Sequence, residues 1–253
     1  MCGITGIVDL SGQREVNRRL LVRMNDALTH RGPDESGVHI APGVGLGHRR
    51  LSIIDLSSGQ QPLYNEDNSV VVVYNGEIYN HAVLKEELLA QGHQFRTHCD
   101  TEVIVHAWEE WGEDCVTRFN GMFAFAIWDS NKAELFLARD RLGIKPLYYS
   151  LLPNGQMIFG SEMKALLVHP EQKRDLDMQA IEEYFAFGYV HEPRSILQGI
   201  RKLKPGHTLL ARRNGRTGEQ REYWDVPFRP PSQASLEETQ EEFVSRLRDS
   251  VKR

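Results

Sequence analysis

The chain opens Met1-Cys2-Gly3-Ile4-Thr5-Gly6-Ile7-Val8, which puts a thiol at the head of an apolar, strand-like run. Methionine is normally removed when the next residue is small, and Cys2 would then carry both a thiol and a free α-amine. That amine titrates near about 7.7–8.0, so part of it is neutral at physiological pH. A neutral amine can act as base for the thiol beside it. A chain that uses such a pair has to carry its own first strand into a reactive site and bring partners to it from later segments. Taken alone, Cys2 reads as a small apolar residue opening a strand. The rest of the sequence has to supply the partners.

The 253 residues are 40% hydrophobic and 26% charged. This is globular composition, enough for one large domain or one domain plus part of another. The net charge of −5 is spread along the chain without a basic stripe, which argues against nucleic-acid binding. No apolar run approaches the roughly 18 residues of a spanning helix, so no membrane insertion is expected. Asp9, Arg14 and Glu15 interrupt the start where the apolar core of a signal peptide would lie. Cys2, Cys99 and Cys115 are far apart and form no CxxC. The spacing suits a reducing cytoplasm, without a disulfide framework or a zinc site.

Residues 2–10 read as a strand, and Val16, Leu20, Leu21, Met24 and Leu28 give 14–29 helical periodicity, ended by Arg31-Gly32-Pro33-Asp34. Strand-like runs follow at 37–40, 44–54 and 69–75. Asn80 reads as the cap of a helix over 81–91 stopped by Gly92. A helix over 101–111 shows Val103, Ile104, Ala107, Trp108 and Trp111 on one face. Strands are expected at 122–128, 134–138, 146–150 and 157–159. The absence of regular βαβ alternation argues for an α+β fold. Beyond 168 come a helix at 177–187, strand-like runs at 207–212 and 223–226, a stiff linker at Pro227, Pro230 and Pro231, and an amphipathic helix at 235–252.

A thiol that attacks an amide needs donors for the developing oxyanion, each worth about 10²–10³ in rate. Tyr74-Asn75-Gly76-Glu77 offers an amide NH₂ and a backbone N–H, yet Asn-Gly after Val70–Val73 is also a strong hairpin signal, and locally the turn is favoured. An amino-acid substrate also carries a carboxylate, suited to an arginine fork. Arg49 and Arg50 are adjacent in a strand, so at most one faces a given site. Its ammonium calls for a carboxylate such as Asp100, which reads equally as a helix cap. Ser161 reads as a cap with Glu162 in the first helical turn. His98-Cys99-Asp100 does not have metal-ligand spacing, and no metal site is expected.

The motifs MCGITGIVD, HRGPDESG, GHRRLSIID, QQPLYNED, VVVYNGEIYNH, DTEVIVHAWEEWG, NGMFAFAIWD, LARDRLGIKPLYY and FGSEMKALL occur in order. Together they resemble the glutaminase domain of class II glutamine amidotransferases, and within that group the B-type asparagine synthetases. GYVHEPRSI, IRKLKPGH and EYWDVPF are most similar to the exosortase-associated bacterial members. The resemblance implies an N-terminal-nucleophile fold, a four-layer α/β/β/α sandwich of two antiparallel sheets. It implies a glutaminase domain over 2–168, a connector over 169–231, and in 232–253 the first helix of a truncated ATP-binding synthetase domain. Cys2 would be the nucleophile, and Asn75 with the Gly76 N–H the oxyanion hole. Glutamine would be held by Arg50, Leu51, Ser52, Ile53, Ile54, Glu77 and Asp100.

By the same resemblance the substrate is L-glutamine, hydrolysed through a Cys2 thioester to glutamate and ammonia. The ammonia would go to a C-terminal synthetase domain that uses ATP and Mg²⁺. The SGG-x-DS phosphate loop of that domain is not found in the sequence, and no cofactor is expected for the glutaminase itself. A homodimer is compatible with the resemblance. Two other readings stay open: a glutaminase serving a different acceptor, such as a sugar phosphate or an exopolysaccharide-related acid, and a non-catalytic scaffold.

Overall fold

The computed structural model describes residues 1–52, 59–213, 216–228 and 234–252. In chain order the first elements are β1 (Gly3–Asp9), α1 (Arg18–Asp26), β2 (Glu35–Ala41), β3 (Val44–Arg50), β4 (Leu63–Tyr64), β5 (Val70–Ile78), α2 (His81–Ala90) and α3 (Thr101–Trp111). There follow α4 (Cys115–Arg118), β6 (Gly121–Asp129), β7 (Glu134–Arg139), β8 (Tyr148–Leu151), β9 (Gln156–Gly160), α5 (Met163–Leu166) and α6 (Met178–Phe187). The last are β10 (Ile200–Lys202), β11 (His207–Arg212), β12 (Arg216–Thr217), β13 (Arg221–Glu222) and α7 (Leu236–Lys252).

One sheet has the order β10-β8-β9-β1-β3-β2 and the other β12-β11-β7-β6-β5-β4, with β13 also on β11. Side-chain alternation sorts each strand between two cores. Ile4 and Val8 of β1, Val44 and Leu46 of β3, Val71 and Val73 of β5, and Ala124 and Ala126 of β6 meet between the sheets. The intervening Val70, Val72, Tyr74, Phe123 and Phe125 face α2 and α3 instead. Ile7 and Ile158 pack outward on Leu21, Met24 and Ala165 of α1 and α5. With both faces covered, the strands read as unbroken apolar runs. The expected α+β, four-layer α/β/β/α sandwich is what forms.

Several local expectations are corrected. The first helix starts at Arg18, not 14, because Asp9 Oδ2 takes the N–H groups of Gln13 and Arg14 at 2.7 Å each and holds that segment in a loop. Asn17 Oδ1 then caps the helix by accepting from Leu20 N at 3.1 Å. Asn80 occupies a cap position, but its side chain bridges to Arg118 O and Asn120 N at 3.0 and 2.8 Å. Ser161 is not a cap either: its Oγ accepts from Ile4 N at 3.0 Å, fastening β1. Helix α3 is buried from Thr101 through Trp108, not on one face alone. Strand β3 ends at Arg50; Ile53 and Ile54 lie outside the described residues, as do Pro230 and Pro231. The strand expected at 223–226 lies instead at Arg221–Glu222, since the N–H groups of Tyr223 and Trp224 turn onto Gly206 O.

Residues 200–222 complete both sheets: Ile200–Lys202 pairs with β8 and His207–Arg212 with β7. No residue of α7 is buried. Among the described residues no helix is long and apolar enough to cross a membrane.

His48 ties the sheets together. It is buried on the inner face of β3, and its Nε2–H donates to Tyr74 O of β5 at 3.1 Å. Burial keeps the ring neutral, and the charge of Arg50 adds to the effect, so its pKa is pushed down to about 3. An unfolded histidine takes its proton near about 6.5. The unfolded chain therefore binds a proton that the folded chain refuses. The contribution of His48 to stability is complete above about pH 6.5 and is lost as pH falls toward 3. Urea midpoints measured at pH 7.5, 6.5, 5.5 and 4.5 should decline accordingly, and His48→Gln should flatten the slope between 6.5 and 5.

Candidate active site

Alternation along the strands also gathers the reactive groups. Cys2 precedes β1 on the inner-facing parity of Ile4 and Val8; Arg50 ends β3 on the parity of Val44 and Leu46. Asn75 and Glu77 extend the inner series Val71 and Val73, and Met122 extends Ala124 and Ala126. These strand ends lie at the same end of the sandwich. There Cys2, Arg50, Leu51, Asn75, Gly76, Glu77 and Asp100 line one cavity of about 170 Å³. Drug-sized ligand pockets run roughly 300–1,000 Å³, so this one suits a molecule of amino-acid size.

Asn75-Gly76 is not a hairpin turn. It lies inside the nine-residue β5, with Asn75 opposite Ala124 and Gly76 opposite Phe123. The strand continues to Ile78 because β6 pairs with it along its whole length. A Cβ at Gly76 would come within 2.3 Å of Met122 O and 2.8 Å of Phe123 Cα, so glycine is required for the strands to approach. Asn75 is 1% exposed, and its Nδ2 donor meets no acceptor among the described residues. A buried amide NH₂ left unpaired costs roughly 1–3 kcal/mol, which a ligand acceptor in the cavity would offset.

Leu51 N approaches Cys2 Sγ at 3.5 Å, and Arg31 Nε donates to Cys2 O at 2.9 Å. Arg31 also pairs with Glu162 at 3.0 Å. Burial would raise the Glu162 carboxyl, but hydrogen bonds from His30, Arg31 and Lys164 hold it down at about 2. Gly32 makes this possible: a Cβ there would sit 2.3 Å from Arg49 O. The RGPD segment therefore lies against β3 and delivers Arg31 to the first strand.

The adjacent arginines divide as alternation requires. Arg50 lines the cavity, oriented by Glu35 at 2.9 Å. Arg49 points the other way and pairs with Asp26 of α1. Asp100 occupies the cap position of α3 without capping it. Its Oδ2 accepts from Tyr74 Oη at 2.7 Å and Ile78 N at 2.9 Å, which fixes the carboxylate against β5. Burial raises the Glu77 carboxyl, and the negative charge of Asp100 raises it further. A cation between the two acids would relieve that repulsion. Ser52 is half-buried, and its N–H donates to Asp34 Oδ2 at 2.7 Å; Leu51 reaches the cavity, Ser52 does not line it.

Sequence reasoning missed Gln61, Tyr74, Thr101, Met122 and Lys145, which also line the cavity. Lys145 is 5% exposed, and its Nζ lies 3.3 Å from Met1 Sδ. Burial lowers its pKa, with Arg31 adding to the shift. A lone lysine in an otherwise apolar run carries no local mark of burial, and Gln61 comes from a loop whose path the sequence does not reveal.

Residues 1–224 match the family described as the glutamine amidotransferase domain. Over its whole length the chain is 41% identical to asparagine synthetase (glutamine-hydrolyzing) 3 of Bacillus subtilis, of which it spans 41%. It is 46% identical over 172 residues to asparagine synthetase (glutamine-hydrolyzing) 2 of Arabidopsis thaliana, covering 68% of this chain and 29% of that one. The chain thus spans about two-fifths or less of these relatives. Glutamine phosphoribosylpyrophosphate amidotransferase of B. subtilis shares the fold, with a TM-score of 0.63 at 20% identity over 88% of this chain and 49% of that one. The family match runs from Cys2 through both sheets to β13, covering the cleft and the strands that build it, and the chain belongs to the glutamine amidotransferase domain family.

Proposed function

We propose that this chain hydrolyses glutamine with Cys2 as nucleophile and supplies the ammonia to an asparagine-synthetase-type partner domain. The observation that carries the reading is the buried, unpaired Asn75 Nδ2 in the same small cavity as the Cys2 thiol. Once Met1 is removed, the Cys2 α-amine takes the thiol proton and sulfur adds to the side-chain carbonyl of glutamine. Asn75 Nδ2–H and the Gly76 N–H stabilise the oxyanion. The protonated amine returns its proton to the departing nitrogen, ammonia leaves, and a γ-glutamyl thioester remains on Cys2. Water then cleaves the thioester to give glutamate and the free thiol. Arg50 binds the substrate α-carboxylate, while Glu77 and Asp100 face its α-ammonium. Leu51 lines the cavity; for Ser52, Ile53 and Ile54 a glutamine-holding role rests on the family resemblance alone.

Residues 2–168 form the hydrolysing unit in this proposal, 169–231 the connector, and 232–253 the start of a synthetase domain. ATP and Mg²⁺ would serve that domain, and no step assigned to this chain passes through them. The names of the relatives support aspartate as acceptor; an exopolysaccharide-related acid is the alternative. Three unpaired cysteines fit a cytoplasmic setting.

Cys2→Ala should abolish glutamine hydrolysis while leaving circular dichroism and the melting temperature unchanged; hydrolysis retained by that variant would sink the mechanism. 6-Diazo-5-oxo-L-norleucine should add once, at Cys2, as read by peptide mass spectrometry. Asn75→Ala should lower kcat about 10²–10³-fold with little change in KM. Arg50→Met should instead raise KM for glutamine by about 10–100-fold, the loss of a charged hydrogen bond.

A further inference from the structure

A second cluster of chemistry-bearing side chains lies on the outer helical layer and shares no residue with the Cys2 cavity. It draws on three segments: Glu66 from the β4–β5 loop, His93 just after α2, and His106 and Glu109 one turn apart on α3. One ligand atom from each of the four lies within 4.8 Å of all the others. Gly92, at φ 102°, turns the chain out of α2, and His93 N returns to Leu88 O at 3.1 Å. That turn seats the His93 ring against the His106 ring, with centroids 5.0 Å apart.

The contacts are long for a hydrogen-bonded cluster; among the described residues, His106 Nδ1 to Glu109 Oε2, at 3.4 Å, is the one hydrogen bond within these four. His106 Nδ1 lies 3.4 Å from both Glu66 Oε2 and Glu109 Oε2. His93 Nδ1 lies 3.6 Å from Glu66 Oε1 and 3.9 Å from Glu109 Oε2. Good N–H···O bonds run about 2.7–3.2 Å. Nitrogen and oxygen ligands at about 2.0–2.2 Å from a tetrahedral zinc ion are separated by about 3.4 Å. Two of these four separations match the edge of such a tetrahedron and two are longer, with Glu66 turning a different oxygen to each histidine.

The surrounding groups are arranged in the same sense. Glu109 Oε1 accepts from Asn65 Nδ2 at 2.7 Å, leaving Oε2 toward the histidines. Glu66 Oε1 accepts from Gln94 N at 2.9 Å, leaving Oε2 toward His106. Both rings turn Nδ1 to the centre and Nε2 to an outer carboxylate: Glu102 at 3.8 Å from His106, Glu110 at 3.7 Å from His93. Neither carboxylate is within hydrogen-bond distance of its ring, so each stands behind its imidazole as a charge that favours a cation at the centre. The His106 side chain is 1% exposed, and its Nε2 has no hydrogen-bond partner among the described residues. Four carboxylates thus surround two imidazoles, and none has a lysine or arginine at ion-pair distance among the described residues.

We infer that Glu66, His93, His106 and Glu109 form a four-ligand divalent-cation site of the zinc class, which fastens the end of α2 and the β4–β5 loop to α3. The donor set of two imidazoles and two carboxylates suits Zn²⁺. Zn²⁺ is titrated calorimetrically into the metal-stripped Cys2→Ser chain, in which the nucleophilic thiol cannot compete. One equivalent should bind, raise the melting temperature, and be removed by EDTA. His93→Gln and Glu109→Gln change ligands more accessible than the buried His106; each should weaken binding at least tenfold with unchanged circular dichroism. Co²⁺ in place of zinc should give visible d–d bands of a four-coordinate ion without thiolate charge transfer. Absence of a saturable equivalent, undiminished affinity in both variants, or a thiolate band would each overturn the site.

Discussion

The placement of Cys2 depends on the hold that the six-stranded sheet has on β1. This strand begins at the third residue of the chain, yet it lies in the interior of the sheet, between β9 and β3. Its register is set on both sides, Gly3 against Arg49 and Thr5 against Gly160. Ser161 closes the ladder by exchanging hydrogen bonds with Ile4 in both directions, at 3.0 and 2.9 Å. A chain end normally frays. Here every residue from Gly3 to Asp9 is buried, and the end is as fixed as the core. A slip of one residue would turn Cys2 and Ile4 from the inner face to the outer.

Electrostatics complete what register begins. The cavity sets one arginine at the end of β3 against two acids, one at the end of β5 and one at the head of α3, with Tyr74 fixing Asp100 between them. This arrangement complements a zwitterion, and burial together with the charge of Asp100 raises the Glu77 carboxyl. Arg50, His48 and Leu46 follow one another along the same inner face of β3. One strand thus supplies a cavity-lining charge, a tie between the sheets and a core contact in three successive inward positions.

Much of this was legible in the sequence. Strands buried on two faces announce themselves as apolar runs, and the motifs around Cys2, Arg50, Asn75 and Asp100 carried the cleft. What failed was local grammar overruled by distant partners. Asn75-Gly76 has the composition of a turn, but β6 extends the pairing past it to Ile78. Asn80 and Ser161 have cap chemistry, but each spends its side chain on a segment far along the chain. Alternation alone says that one of Arg49 and Arg50 faces inward without saying which; only the family resemblance picked out Arg50, the one that lines the cavity. The Glu66, His93, His106 and Glu109 cluster was invisible because its members come from three segments whose packing no spacing rule encodes.

The central place of β1 has a consequence for biosynthesis. Its neighbour β3 follows about forty residues later, but β9 and Ser161 are made some 150 residues after it. At about 5–20 residues per second, the first strand spends roughly 8–30 seconds outside the ribosome without its second edge. For most of that interval Gly3 through Val8 is an apolar strand with β3 on one side and an open edge on the other. The fold thus makes its earliest segment wait for one of its latest.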